Sequence, residues 1–440
     1  MPSEAMNRSP QPQRALETRV LLLLLLAYIF NFIDRNIIGV LAVPIREEFD
    51  LSDTALSTLG VVFGIFYATI AIPIAWAADR WSRINIIAGA VTLWSLFTAA
   101  CGVAGSYTQL VIARMGVAFG EAGGIAPSYA LISDYFPKRQ RARALAFFSL
   151  GIPIGSALGV FFGGWLASAI DWRSAFIIVG LCGIPVALLL KLFVPEPKRG
   201  ASEEDAPAQA AVAVPDAPAA VVTAAAPPFR TAVATLVRIP SFWLLSFGAA
   251  SGSILGYGLI FWLPSFFNRT FDLPLQSVGW FYGSIILVGG VLGTWLGGVI
   301  GDRVGPSRPG AYALIPAVCF LVTAPTFALG LFAPSLWAAW LLFTIGQMLA
   351  LAWLGPVISA IQHIVVPAMR ATASASFLFI NNLIGIAFGI YFLGWLSDSM
   401  KAAHGENSLQ FSILYGLSFY LLAALFYLFA ARRLKRDMIS

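Results

Sequence analysis

Charge is what this sequence has least of. Only 11% of its 440 residues are Asp, Glu, Lys or Arg, where a soluble chain of this size carries about 25%. So little charge cannot cover a water-facing surface, and 59% hydrophobic residues go with it. The chain reads as an integral membrane protein. Histidine is nearly missing: His363 and His404 are the only two, and they lie far apart. The three cysteines, Cys101, Cys182 and Cys319, stand singly inside apolar runs without CxxC spacing. These shortages leave no metal-ligand pattern and no Ser-His-Asp set. No metal and no cofactor is expected, and a membrane-embedded enzyme is the weaker alternative. The basic residues are scattered over short loops, which argues against nucleic acid as a partner. Ten-residue alternating segments are also absent, which argues against a β-barrel.

Long apolar runs are what the chain does have. Twelve spans are expected, at roughly 18–45, 53–78, 84–104, 107–134, 142–167, 173–194, 240–267, 276–300, 309–331, 335–365, 372–399 and 409–432. Each can cross an apolar layer of about 30 Å at about 1.5 Å per residue. The first is too long and too charged for a signal-peptide core, so it reads as a retained helix. All of the 27 Lys and Arg residues except Arg35, Arg46, Arg114, Arg173, Arg269 and Lys401 fall on the tails, after even-numbered spans or at the span ends that adjoin them. That asymmetry puts both termini in the cytoplasm. Residues 195–239 break the pattern with Ala, Pro and Val around Glu203, Glu204 and Asp205, which reads as a flexible cytoplasmic linker. The expected organisation is a tail at 1–17, a six-helix half at 18–194, the linker, a second six-helix half at 240–432, and a tail at 433–440.

The halves echo each other. Asp79-Arg80 follows the second span, and Asp302-Arg303 follows the second span of the second half. An acid at such a helix end can cap a neighbouring helix and pair with basic loop residues in one state only. These four residues are expected to form a cytoplasmic gate; a solvated turn carrying topogenic charge is the plainer alternative.

Charges inside the spans cluster in the first half. Asn31-Phe32-Ile33-Asp34-Arg35-Asn36 lies within span one, where an ionised side chain costs about 2.5–3.5 kcal/mol. Arg114 and Glu121 in span four are seven residues apart, so they share a face about 10.5 Å apart along the axis. Asn31, Asp34, Arg35, Arg114 and Glu121 are the expected substrate and proton site. Arg35 would take an anionic group with its planar fork, Asp34 and Glu121 would hold protons, and Arg114 is the expected partner of Glu121. A salt bridge that only fastens helices is the bland alternative. Protons would be the coupling ion. The second half has no comparable mid-span charge; its polar candidates are Gln347, Asn381 and Asn382. Phe63 with Tyr67, and Tyr257 with Phe261, share helix faces and are candidates to line a path for an apolar tail. Glycines at Gly151, Gly155, Gly159, Gly163 and Gly164, at Gly289, Gly290, Gly293, Gly297 and Gly298, and at Gly385 and Gly389 read as close-packing surfaces. Pro153 is a candidate kink point lining the cavity.

Six plus six spans with parallel repeats is the plan of a major facilitator transporter. Span one, from Asn31 through Asp34-Arg35 to Gly39, resembles the first helix of the Spinster family of that superfamily. The resemblance continues through Arg114 to Gly120-Glu121-Ala122, Ala126-Pro127, Asp134 to Pro137 with Arg141, and Ile152-Pro153 to Gly159. It departs at the first gate, where Ala75 stands in place of a common glycine and Asn85 in place of a common basic residue. The resemblance implies a major facilitator fold, alternating access and an amphipathic anionic lipid as substrate, such as a lysophospholipid or sphingosine-1-phosphate. It also implies proton coupling at Asp34, Arg35 and Glu121. A monomeric homologue in a bacterial inner membrane is the expectation. A symporter of small organic anions is the alternative within the class.

Overall fold

The computed structural model describes residues 10–78, 80–198, 234–305, 307–366 and 369–438, and the regular elements among them are helices. The first half supplies α1 (Pro10–Glu48), α2 (Asp53–Ala78), α3 (Arg83–Gly102), α4 (Tyr107–Glu121), α5 (Ile125–Tyr135), α6 (Lys138–Ser149), α7 (Gly151–Ala169) and α8 (Trp172–Phe193). The second supplies α9 (Pro240–Phe271), α10 (Leu275–Val304), α11 (Ala311–Leu331), α12 (Leu336–Leu351), α13 (Leu354–His363), α14 (Arg370–His404), α15 (Ser408–Gly416) and α16 (Ser418–Asp437).

Four expected spans are delivered as two helices each; a proline accounts for three of the breaks, and the fourth, at Leu417 between α15 and α16, has none. Pro127, Pro153 and Pro356 have no N–H to give the carbonyl four residues earlier, at Gly123, Ser149 and Ala352. The chain leaves the helix there, between α4 and α5, α6 and α7, and α12 and α13. The kink expected at Pro153 is therefore a break one turn upstream, and the ladder resumes with Ile154 N–H donating to Leu150 O. Serines start other helices: the Ser82, Ser106 and Ser335 hydroxyls accept from the backbone N–H of Asn85, Gln109 and Ala338, meeting donors that a helix start leaves open.

Eleven stretches among the described residues are long and apolar enough to cross a membrane. The last, Thr372–Asp437, runs for 66 residues, about 100 Å if straight. It holds two crossings, divided by a 3-10 turn at Gly405–Asn407 where Gly405 has φ 55°. The chain is thus an all-helical membrane protein with twelve crossings among the described residues.

Its contacts gather into two units, which are not the two six-helix halves: residues of the first half occur in both. One unit holds the described residues of Met1–Arg35, Thr69–Gly155 and Arg173–Asp216. Its core is built around Trp94, 1% exposed. Gly120 is what lets α4 reach that ring, since a Cβ there would lie 2.6 Å from the Trp94 backbone nitrogen. The other unit holds the described residues of Asn36–Ala68, Ser156–Trp172 and Ala217–Ser440. Here Gly389 lets α14 touch α9, and Gly293 and Gly297 let α10 touch α12; a Cβ at each would overlap a facing carbonyl.

The linker expected from Pro195 starts later than its composition suggests. Glu196 accepts from Ser82 Oγ and Ile84 N–H, both at 2.9 Å, and from Arg83 Nε at 2.8 Å, so it is tied to the start of α3. Residues 199–233 lie outside the described residues.

Candidate functional site

The charged residues of span one and span four meet inside the first unit. Asp34 and Glu121 have no exposed surface, and Asn31 and Arg114 keep 2% each. Arg35 donates from Nε at 3.0 Å and Nη2 at 2.7 Å to the same Glu121 oxygen, Oε2. Its guanidinium also lies over the Phe32 ring, 5.0 Å from the centroid. Arg35 is the partly accessible member of the pair, 11% exposed against none for Glu121.

Arg35 is hydrogen-bonded to Glu121, and Arg114, the partner expected from spacing, faces the same carboxyl electrostatically. Arg114 Nη1 reaches the Asp34 backbone carbonyl at 3.5 Å. Asp34 is turned into the first-half bundle beside Trp94 and Arg114. Its Oδ1 and Oδ2 and Glu121 Oε1 are buried and accept no hydrogen bond among the described residues. The adjacent residues of α1 are thereby sorted: Arg35 toward an accessible edge, Asp34 toward the inside.

The candidates of the second half lie in the second unit. Ser253 Oγ donates to Asn381 Oδ1 at 2.8 Å, and Tyr257 OH donates to Asn382 Oδ1 at 3.3 Å. This set links α9 to α14. Gln347 is 8% exposed and packs against Gly289 of α10. Phe63 and Tyr67 stack at 5.9 Å with 12° between their planes. Phe261 is 2% exposed, and its backbone packs on Gly39 of α1, so it is a packing residue rather than open wall. Pro153 is buried at the start of α7.

Of the expected gate, Asp79 lies outside the described residues. Arg80 is exposed; its guanidinium sits 3.8 Å from the Trp76 ring centroid and donates to the Trp76 carbonyl at 3.1 Å. Asp302 and Arg303 are exposed at the end of α10.

Two networks escaped the sequence reading. Arg83 bridges Asp134 and Glu196. Burial pushes the Glu196 carboxyl up, but hydrogen bonds from Ile84 N–H, Arg83 and Ser82 outweigh it and hold the group below the usual glutamate value. In the second unit, Arg269 grips Asp53 with two hydrogen bonds, 2.8 and 2.9 Å, and Ser397 Oγ adds a third at 2.8 Å. Asp398 then caps α2, accepting from Thr54 N–H and Thr54 Oγ1 at 2.6 Å each. The signal for this lock was Asp53 at a helix start; its partners lie 216 and 344 residues away, beyond any local pattern.

The Major Facilitator Superfamily model matches residues 24–390. The chain is 34% identical over 412 residues to an MFS-type efflux pump of Mycolicibacterium smegmatis, covering 93% of this chain and 91% of that one. It is 30% identical over 401 residues to protein spinster homolog 1 of Homo sapiens, covering 87% of this chain and 73% of that one. Among solved structures it resembles a bacterial homologue of the human lysosomal transporter Spinster, inward-facing and unoccupied. The TM-score is 0.83 at 32% identity, over 97% of this chain and 99% of that one.

Proposed function

The chain belongs to the major facilitator superfamily, on its Spinster branch, and is a secondary transporter; we propose that it carries amphipathic anionic lipids, lysophospholipid-like or sphingosine-1-phosphate-like, linked to protons. One observation carries the proton link: Arg35 keeps 11% exposure while its partner Glu121 has none. A headgroup phosphate fits the same guanidinium fork that holds Glu121. Once the anion takes Arg35, Glu121 loses its hydrogen-bonded cation inside the protein. Leaving a buried charge unpaired costs about 3–5 kcal/mol, and taking a proton removes that cost. Anion and proton therefore bind together. The lipid rests on the resemblance to the Spinster family and on the aromatic pair Phe63–Tyr67.

In this reading the Lys- and Arg-rich tails face the cytoplasm of a bacterial inner membrane. One copy of the chain alternates its access, and the Asp53–Arg269 lock closes the outer end. The hydrogen-bonded set Ser253, Asn381, Asn382 and Tyr257 favours a second reading, symport of a small organic anion held at both its ends.

The test is uptake into proteoliposomes under an imposed pH gradient. Accumulation of a lysophosphatidylethanolamine that follows the gradient and is lost with Arg35→Ala supports the lipid reading. Gradient-driven uptake of a dicarboxylate, with no movement of lipid, replaces it with the second.

A further inference from the structure

Beside the charged pair, within the first unit, is a small cavity of about 10 Å³, enough for the centre of one water molecule. Asn31, Gly124 and Ser128 line it, closed in by Tyr28, Trp94 and Phe148. Asn31 is 2% exposed, and neither its Oδ1 nor its Nδ2 has a hydrogen-bond partner among the described residues. Its amide adjoins Glu121, whose Oε1 is also without one. Ser128 donates its hydroxyl hydrogen to Gly124 O at 2.7 Å, which leaves its lone pairs to accept.

We propose that this cavity binds one structural water between Asn31 and Ser128, and that Asn31 with this water is the positioning group for proton exchange at Glu121. The proposal rests on the proton-linked reading above. An amide has a donor end and an acceptor end. When Glu121 is ionised, Asn31 turns Nδ2 toward Oε1 and Oδ1 toward the cavity. When Glu121 is protonated, its O–H donates to Asn31 Oδ1 and Nδ2 faces the cavity. A fixed side chain would match one of these orientations; a water both donates and accepts, so it matches either. One proton is gained or lost by the carboxyl, and no other bond changes. The charged and titratable groups facing Glu121 are Arg35 and Asp34 from α1 and Arg114 from α4, with Cys101 of α3 beside Asp34 and Arg114.

Gly124 offers a way to remove the water without touching a polar group. A Cβ there would lie 3.3 Å from the Trp94 ring and 3.4 Å from Glu121 O, a tight methyl in helical backbone to which the ring must give by a few tenths of an ångström. Gly124→Ala fills the cavity, whereas Gly124→Ser supplies a hydroxyl in its place. The experiment is a structure of the full chain in lipid nanodiscs at water-resolving resolution, with the pH midpoint of lysophospholipid binding measured for wild type and both variants. Expected are water density within hydrogen-bonding distance of Asn31 and Ser128, its loss in Gly124→Ala, a midpoint shift of about 0.5–1 pH unit in that variant, the worth of one hydrogen bond, and its return in Gly124→Ser. A dry cavity in wild type overturns the water site. Water present but an unshifted Gly124→Ala midpoint overturns the positioning role. Wild-type binding that ignores pH removes the proton-linked reading, and the positioning role with it, while the density still decides the water site.

Discussion

Arg35 gives both of its hydrogen bonds with Glu121 to a single carboxylate oxygen, Oε2. The other oxygen is left buried with no partner among the described residues. The pair is therefore held from one side and open to a proton on the other. An anion that competes for Arg35 and a proton that neutralises Glu121 favour the same rearranged state, so each raises the affinity of the other.

Glu121→Gln mimics the protonated acid permanently. Its anionic-lipid binding should be flat with pH and should match wild type at acid pH. At alkaline pH the variant should bind at least about tenfold more tightly than wild type, the ratio growing about tenfold per pH unit for one linked proton. Titration of lipid affinity from mildly acid to mildly alkaline pH checks this; a wild-type slope retained in the variant contradicts it.

The Asp53–Arg269 pair should hold the starts and ends of helices from the two halves together. Arg269→Ala strips a buried carboxylate of its cation, a loss of about 3–5 kcal/mol for a buried pair. Spin labels near the start of α2 and the end of α9 should report a longer distance in the variant. Asp53→Asn combined with Arg269→Ala should be less perturbed than the two single changes added together, since one interaction is being removed twice.

Glu196 carries a pH prediction of definite sign. Its carboxyl is held below the usual value of 4.5, so its stabilising contribution is complete above that value and fades as pH falls through the folded-state value. Glu196→Gln should lower thermal stability at neutral pH by roughly 1 kcal/mol, allowing for partial exposure. The difference from wild type should close as pH falls through the depressed folded-state value. A gap that persists in acid would mean Glu196 acts by packing rather than by charge.

Gly389→Val should destabilise the second unit. The added side chain would overlap the Ile254 carbonyl, and forced separation of packed helices costs about 1–3 kcal/mol. Thermal unfolding in detergent reads this out, and an unchanged midpoint would show that α9 and α14 separate without cost.

Most of the fold was legible because its signals are local. Length and apolarity mark the crossings, Pro153 marks one break, and the glycines mark where helices touch; Pro127 and Pro356 could not be told from Pro44, Pro73, Pro185, Pro264, Pro316 and Pro325, which sit within unbroken helices. The residues of the charged site were legible for the same reason: a charge in a long apolar run stands out. Their pairing was not. Arg114 and Glu121 share a helix face by spacing, but Arg35 reaches Glu121 from a different helix, 86 residues away. Asp34 and Arg35 are neighbours in sequence, yet a helix sends adjacent side chains about 100° apart, which is why one is inside the bundle and the other at its edge. The Asp53 lock and the Glu196 tie were invisible for the same reason, as each joins chain segments separated by more than a hundred residues.

The most direct measurement is calorimetric binding of a lysophospholipid to the purified chain across pH, in buffers of different ionisation enthalpy, for wild type and Arg35→Ala. Sphingosine-1-phosphate and a small dicarboxylate serve as comparison ligands. The account predicts that lipid binding to wild type takes up close to one proton and tightens as pH falls, and that Arg35→Ala loses both the affinity and the proton uptake. Lipid binding with no proton uptake, or uptake that survives Arg35→Ala, would contradict it.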